Sequence, residues 1–342
     1  MADQGGKTHK NPIRLVFLNR KPRQSGNFSI EIIFEQLKAQ LPARFKTSVY
    51  QARYQSSGFF KRLFIAIEAA FHQADINHVT GDTHFLTLFL KKKKTLLSIH
   101  DLGFLHDVTG IKALLLKKLW VDYPVKRARK VHVVSEFTRQ EVLKYSGCAP
   151  DKVVVIHNPL PSAGFKFTPK QFNEEAPRIL HLGCAGNKNL ARLVEALKGI
   201  PCVLDIVGKA PAEIQERARA LGIQHEVSWN LTEEEVIQKY EACDILSIVS
   251  TNEGFGMPIV EAQCVGRVVV TANLSSMPEV AGEGAQLVDP YDIESIADGF
   301  KRVIGDAALR NSLIEKGLEN CKRFEIAHVT QKYTALYDSM LE

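Results

Sequence analysis

No run of about twenty apolar residues occurs in this 342-residue chain, so no segment reads as a membrane-spanning helix. The most apolar stretch, Phe59 to Phe71, is too short and carries Lys61, Arg62 and Glu68. The first eleven residues are polar and lack the apolar segment of a secretory leader. There are only six cysteines, Cys148, Cys184, Cys202, Cys243, Cys264 and Cys321, and none belongs to a Cys-x-x-Cys pair. Most stand in apolar runs, so they read as reduced, buried thiols and not as a disulfide framework or a zinc site. A cytoplasmic location is expected. A Gly-x-Gly-x-x-Gly fingerprint is missing too, because Gly254-x-Gly256 is followed by Ile259 where the third glycine would stand. That argues against the rival reading of an NAD-dependent oxidoreductase. No His, Cys, Asp and Glu spacing suggests a metal site, so no metal and no bound cofactor are expected. Aromatic residues are not interleaved with the basic ones, which disfavours nucleic acid as a partner.

What is present suits a soluble protein of two domains. Single cores seldom grow past about 250–300 residues, and a composition 45% hydrophobic supplies enough for two cores. The net charge of +6 hides an asymmetry. Residues 1–160 hold 26 Lys and Arg against 12 Asp and Glu, and residues 161–342 hold 18 against 26, so a net +14 faces −8. The first half is therefore expected to meet something anionic. Its basic residues concentrate at 91–94 and at 111–130, where Leu114, Leu115, Leu116, Leu119 and Trp120 alternate with lysines and arginines. An interfacial stretch on an anionic membrane fits this pattern, and so does a partly buried helix with a solvated basic face.

The second half alternates strand and helix patterns. Strands are expected at Arg178 to Gly183, Cys202 to Gly208, Val227 to Leu231, Ile245 to Ser250, Arg267 to Ala272 and Gln286 to Val288. Helices are expected at Asn187 to Gly199, Pro211 to Leu221 and Pro258 to Val265, with Thr232 and Glu235 forming a capping box for another. The first half repeats the rhythm less cleanly, with strands at Ile13 to Asn19, Thr95 to His100, Lys130 to Val134 and Val153 to His157, and a helix at Phe28 to Leu41. Such alternation means α/β domains with doubly wound parallel sheets. A last helix, about Ile326 to Met340, carries Val329, Tyr333, Leu336, Tyr337 and Met340 on one stripe.

The segment Thr251-Asn252-Glu253-Gly254-Phe255-Gly256-Met257-Pro258-Ile259-Val260-Glu261-Ala262 is the strongest functional signal. It follows an apolar strand and opens a helix. The glycines allow a tight turn and close approach of a ligand to the backbone, and Pro258 suits the first helical turn. A glycine loop at a helix N-terminus binds anions, and the carboxyl end of a parallel strand is where such sheets bind ligands. Glu253 and Glu261 flank the loop with seven residues between them. Each carboxylate can accept two hydroxyl hydrogen bonds, as a sugar or ribose diol offers. An ordinary strand–loop–helix with solvated glutamates fits the pattern alone as well.

This segment resembles the signature of the retaining GT-B glycosyltransferases, the large group that includes sucrose synthases and bacterial polysaccharide transferases. His181-Leu182-Gly183 with Asn187-Lys188-Asn189-Leu190 is similar to that family's phosphate-binding loop, Val134-Ser135-Glu136-Phe137-Thr138-Arg139 to its strand-end serine motif, and Arg323-Phe324-Glu325-Ile326-Ala327 to the start of its C-terminal helix. The resemblance implies two Rossmann-like domains facing a cleft. The first is expected over 1–162, joined by the crossing-back helix 325–342, and the second over 163–324. It implies that Glu253 contacts the donor sugar and Glu261 the ribose hydroxyls. Lys188 would neutralise the diphosphate, with Asn187, Gly254, Phe255, Gly256 and Met257 completing the donor site. His100 would contact the donor sugar, and Gly26 would approach the phosphates. The catalytic set is then His100, Glu253 and Lys188. Many family members carry an arginine shortly before the lysine, but Cys184-Ala185-Gly186-Asn187 offers none here.

The expected activity is retaining, metal-independent transfer of a hexosyl unit from a GDP- or UDP-sugar to a saccharide or lipid-linked acceptor in surface polysaccharide assembly. An anionic membrane surface is the further expected partner. A non-catalytic protein that binds a nucleotide-sugar is the alternative.

Overall fold

A computed structural model describes residues 12–22, 29–106, 108–160 and 164–342. Among these described residues, twelve strands form two six-stranded sheets, and every pairing is parallel. The first sheet comprises β1 (Ile13–Asn19), β2 (Phe45–Gln51), β3 (Ile76–Val79), β4 (Thr95–Ile99), β5 (Lys130–Val133) and β6 (Val153–Val155), in the order β2-β1-β3-β4-β5-β6. The second comprises β7 (Arg178–Leu182), β8 (Val203–Val207), β9 (Gln224–Ser228), β10 (Ile245–Ile248), β11 (Val268–Ala272) and β12 (Gln286–Val288), in the order β12-β11-β10-β7-β8-β9. The central strands are buried throughout, as in β4 (TLLSI) and β11 (VVVTA). Parallel strands covered by helices on both faces read as continuous apolar runs for this reason.

The chain divides into two compact units. One holds residues 1–133, 139–156 and 329–342, and the other holds 134–138 and 157–328. Each sheet has a core on either face. In the first unit one of these cores contains Val329, Tyr333, Leu336, Tyr337 and Met340 from the last helix, Ile326–Ser339, packed with Leu15, Phe17 and other residues of that sheet. The chain thus leaves the second unit and returns to complete the first.

Several elements differ from the sequence expectation. The polar edge strand β2 and the four-residue β3 were not evident, since neither carries a clear apolar alternation. Phe59–Ala70 is a helix with apolar residues on two faces, which obscures its period. The stretch 111–130 is not one helix. It is a helix at Gly110–Lys117, a π-type turn at Lys118–Asp122 and a helix at Tyr123–Arg127, with Pro124 in the first turn of the latter. Proline brings no N–H to the ladder, so the pattern changes there. The helix expected from Asn187 begins at Leu190, because Asn189 is left-handed with φ 63°. Its buried amide holds that conformation by donating to the carbonyls of Val249 (2.9 Å) and Pro290 (2.6 Å). The capping box formed as expected, with Thr232 N–H donating to Glu235 at 2.7 Å and Glu235 N–H to Thr232 Oγ1 at 3.2 Å.

Candidate donor-binding site

The strand order of the second unit locates its site. Counting outward from β7, the order β9-β8-β7-β10-β11-β12 reverses direction between β7 and β10. Connections from these two strands depart to opposite sides, which opens a crevice beyond their carboxyl ends. The two loops there are Gly183–Asn189, after β7, and Thr251–Gly256, after β10. They carry the residues singled out in the sequence.

The loops are stitched together. Thr251 N–H donates to the Asn187 carbonyl at 2.8 Å, and Asn187 Nδ2 donates to the Asn252 carbonyl at 2.9 Å. Lys188 Nζ reaches Glu253 Oε1 at 2.6 Å, and Ser250 Oγ donates to the same oxygen at 2.7 Å. The lysine stem lies along Gly183, where an added Cβ would meet it at 3.2 Å. Lys188 and Glu253 are both partly exposed, so the pair stands at the surface of the crevice. Below it the buried His181 is held neutral: burial first, and the Lys188 charge second, lower its pKa to about 4.

The glycine loop is fixed from behind. Ser135 Oγ donates to the Gly254 carbonyl at 2.7 Å, with Thr138 Oγ1 at 3.3 Å from the same oxygen. Ser276 Oγ lies 2.8 Å and 2.9 Å from the carbonyls of Glu253 and Phe255, and Glu253 N–H donates to Ser275 Oγ at 3.1 Å. The serines of loop 274–276 were not identified in the sequence; their signal is a Ser-Ser pair between a strand and a proline-opened helix. Phe255 packs its ring against Phe324 and His157, with centroids 5.7 and 5.9 Å apart, so only its backbone can serve a ligand. Gly256 has φ 94°, and a Cβ there would lie 3.1 Å from Ile259. Met257 opens the helix Met257–Val265, whose first amides point at the loop.

Glu261 lies one turn into this helix. It accepts a hydrogen bond from the hydroxyl of Tyr240, a fully buried residue of helix Glu233–Ala242 that the sequence gave no reason to single out. Desolvation raises the Glu261 carboxyl to about 7, against the lowering effect of the tyrosine hydrogen bond. The phenol itself is pushed well above its ordinary value, by burial first and by the carboxylate second, and stays protonated.

The loop Gly183–Asn189 carries no arginine, and Arg192, in the helix that follows, donates to Asn189 Oδ1 at 2.9 Å. A Cβ on Gly208 would come 2.8 Å from Cys184 Sγ, so the ends of β7 and β8 are in close contact, and the next residue, Lys209, is exposed. A pocket of 480 Å³ among Asn273, Asp289, Tyr291 and their neighbours lies at the ends of β11 and β12, off the glutamate loop. His100 belongs to the first unit, at the end of β4. Its Nε2 donates to the Thr80 carbonyl at 2.8 Å, and burial lowers its pKa, so Nδ1 is the ring's acceptor. The structure therefore brings together Asn187, Lys188 and Glu253, and leaves His100 on the other unit. Gly26 falls outside the described residues.

Family comparisons agree with this geometry. Residues 164–320 match the family described as glycosyl transferases group 1, and residues 25–162 match glycosyltransferase family 4. The chain belongs to the group 1 glycosyltransferases. Among curated relatives, the serotype-specific mannosyltransferase WbdA of Escherichia coli is 25% identical over 64% of this chain and 30% of its own length. The O-antigen chain mannosyltransferase B of the same organism is 25% identical over 61% of this chain and 60% of its own. A D-inositol 3-phosphate glycosyltransferase of Corynebacterium diphtheriae is 32% identical over 36% of this chain and 30% of its own. The chain thus spans less than two thirds of the length of the curated relatives it matches. Among solved structures, HepE of Anabaena in complex with UDP and glucose superposes with a TM-score of 0.78, at 17% identity, over 96% of this chain and 100% of that one. WaaG, a glycosyltransferase involved in lipopolysaccharide biosynthesis, superposes with 0.69, at 15% identity, over 95% and 99%. The fold is GT-B, with two Rossmann-like units.

Proposed function

We propose that this glycosyltransferase moves a hexosyl unit from a GDP- or UDP-sugar to a saccharide or lipid-linked acceptor in surface polysaccharide assembly. The reading adds retention of anomeric configuration, independence from metal, and action at the inner face of an anionic membrane. Support for the donor comes from the switch-point site and from the names of the similar proteins, two of them mannosyltransferases and one bound to UDP and glucose. The single observation that carries the reading is the Lys188–Glu253 pair, which joins the two switch-point loops at 2.6 Å.

In this reading the diphosphate draws Lys188 from Glu253 and takes hydrogen bonds from amides of the glycine loop. Lys209 is a further cation available to it. The carboxylate of Glu253 then accepts hydroxyl hydrogen bonds from the sugar, and Glu261 does the same for the ribose. As the bond from the anomeric carbon to the leaving oxygen breaks, negative charge grows on the diphosphate where fixed donors meet it. The acceptor oxygen attacks the anomeric carbon from the same face and gives its proton to the departing phosphate oxygen. Proximity supplies much of the remaining acceleration. Fixed cations and amides do the neutralising that a metal would otherwise do.

The test is a panel of GDP- and UDP-sugars with saccharide and lipid-linked acceptors, with the anomeric coupling of the product read by proton NMR. Glycosylated product with the donor's anomeric configuration is expected. Inverted product would remove the retaining mechanism, and full activity lost only on chelation would remove metal independence. Absence of binding to every nucleoside diphosphate would remove the donor site.

A further inference from the structure

We infer that the helix Phe59–Ala70 is a membrane-insertion element, and that it rests its outer aromatic row in the headgroup layer of an anionic bilayer. The helix has two apolar faces. Ile65, Ala66 and Ala69 are buried in the core of the first unit. Phe60, Phe64, Ile67 and, at the cap, Phe71 recur at spacings of four, three and four, which puts them on one opposite stripe. That stripe faces water: Phe60 and Phe71 are 83% and 85% exposed. The preceding Phe59 stacks edge-on against Phe60, with centroids 5.6 Å apart. A folded domain has no internal reason to display a row of phenylalanines, and contiguous apolar surface of this kind marks an interaction site.

A second exposed apolar row lies in the same unit. The helix Gly110–Lys117 has no buried residue, and its Ile111, Leu114 and Leu115 are exposed. The two segments meet where the Arg62 guanidinium lies 4.6 Å over the Trp120 ring. Charge decides what covers them. Lys61, Lys112, Lys118 and Lys126 are exposed along these segments, and so are Lys91, Lys92 and Lys93. Between 59 and 71 the one acid is Glu68, held by Arg53 at 2.9 Å, and between 110 and 130 it is Asp122, held by Lys117 at 2.9 Å. Protein–protein interfaces are depleted in lysine. An anionic bilayer accepts aromatic side chains below and lysine heads at the phosphate level, and the long stems let the charges stay in water. The occupant is therefore an anionic lipid surface and not a second copy of the chain. This inference rests on the membrane part of the proposed function and not on the transfer reaction.

The test is co-sedimentation of the full chain with vesicles of equal parts phosphatidylglycerol and phosphatidylcholine, and with vesicles of phosphatidylcholine alone, without donor or acceptor. Binding to the anionic vesicles at least tenfold stronger is expected. The double variant F60S/F71S should lose at least tenfold of it with an unchanged thermal midpoint, since both side chains are exposed. K112Q/K118Q/K126Q should lose binding in step with the effect of added salt. No binding by the wild type, or undiminished binding by F60S/F71S, would overturn the proposal. So would a dimer in sedimentation velocity that F60S/F71S turns into a monomer, because the face would then belong to a second copy. Nucleoside diphosphate affinity, measured on the same samples, reports separately on the donor site.

Discussion

At the scale of single residues, the two glutamates that flank the glycine loop are held in different electrostatic states. Glu253 faces Lys188 and Ser250 and is partly exposed. Glu261 is raised to about 7 by desolvation and accepts a hydrogen bond from the neutral phenol of Tyr240. If the carboxylate form binds the ribose diol, nucleoside diphosphate affinity falls as pH drops through about 7, in titration calorimetry at several pH values. Tyr240→Phe removes a bond that favours the charged form, so the midpoint of that profile should move upward; an unmoved midpoint would show the phenol to be only structural. The stability linkage has the opposite sense. A folded carboxyl near 7 binds its proton more tightly than the unfolded one near 4.5, so this group's contribution to stability falls as pH rises through that window. Glu261→Ala should weaken nucleotide binding by roughly tenfold or more, the loss of hydrogen bonds to a charged group. Lys188→Ala should lower turnover by roughly a hundredfold, comparable to deleting one donor to a developing anion, and near-normal rates would take it out of the phosphate site.

At the scale of elements, the last helix is tied to the first sheet by more than its apolar stripe. Beneath it runs a buried chain of hydrogen bonds whose polarity can be worked out. His132 Nε2 lies 2.8 Å from the Ile156 carbonyl and must donate. In the neutral ring its Nδ1 accepts from Ser98 at 2.7 Å, Ser98 accepts from His78 Nε2 at 2.7 Å, and His78 Nδ1 accepts from Tyr337 at 2.8 Å. Burial first, and the neighbouring His132 second, lower the His78 pKa well below 6.5, so its ring stays neutral. Tyr337→Phe leaves His78 Nδ1 without its donor and should cost about 1–3 kcal/mol in urea unfolding. The unfolded histidine takes up a proton near 6.5 while the folded one does not, so this contribution to stability is lost as pH falls below about 6.5. Acid should thus release the last helix by charging a ring surrounded by neutral partners, and a pH-independent unfolding curve between 4 and 7 in a Glu261→Gln background, where the opposing carboxyl is absent, would contradict the network.

At the scale of the whole molecule, the charge asymmetry and the two-unit division fall on the same boundary. The excess of basic residues lies in the half that builds most of the first unit, and the acidic excess in the half that builds the second. In the proposed reading, anion binding in the second unit depends on local devices, a helix N-terminus and Lys188, in the half of the chain with the acidic excess. A nucleoside diphosphate that occupies this site stabilises the folded chain by mass action. At a hundred times its dissociation constant the gain should be about 2.7 kcal/mol, seen as a shift of the denaturant midpoint. The gain should vanish in a variant carrying both Lys188→Ala and Glu261→Ala.

The alternating strand and helix rhythm of residues 178–288, the capping box at Thr232 and the glycine loop between Glu253 and Glu261 were legible in the sequence alone. Each depends on residues close together in the chain, whose spacing maps directly onto a period or a turn. The first half was less legible, because its edge strand is polar, its third strand is four residues long and its helix Phe59–Ala70 is apolar on two sides. Only the folded chain decided that Lys188 meets Glu253, that Tyr240 holds Glu261, that Ser135 pins Gly254, and that the last helix closes the first unit. Those hydrogen bonds join residues 21 to 294 positions apart. They follow from strand order and sheet register, which no local pattern of side chains encodes.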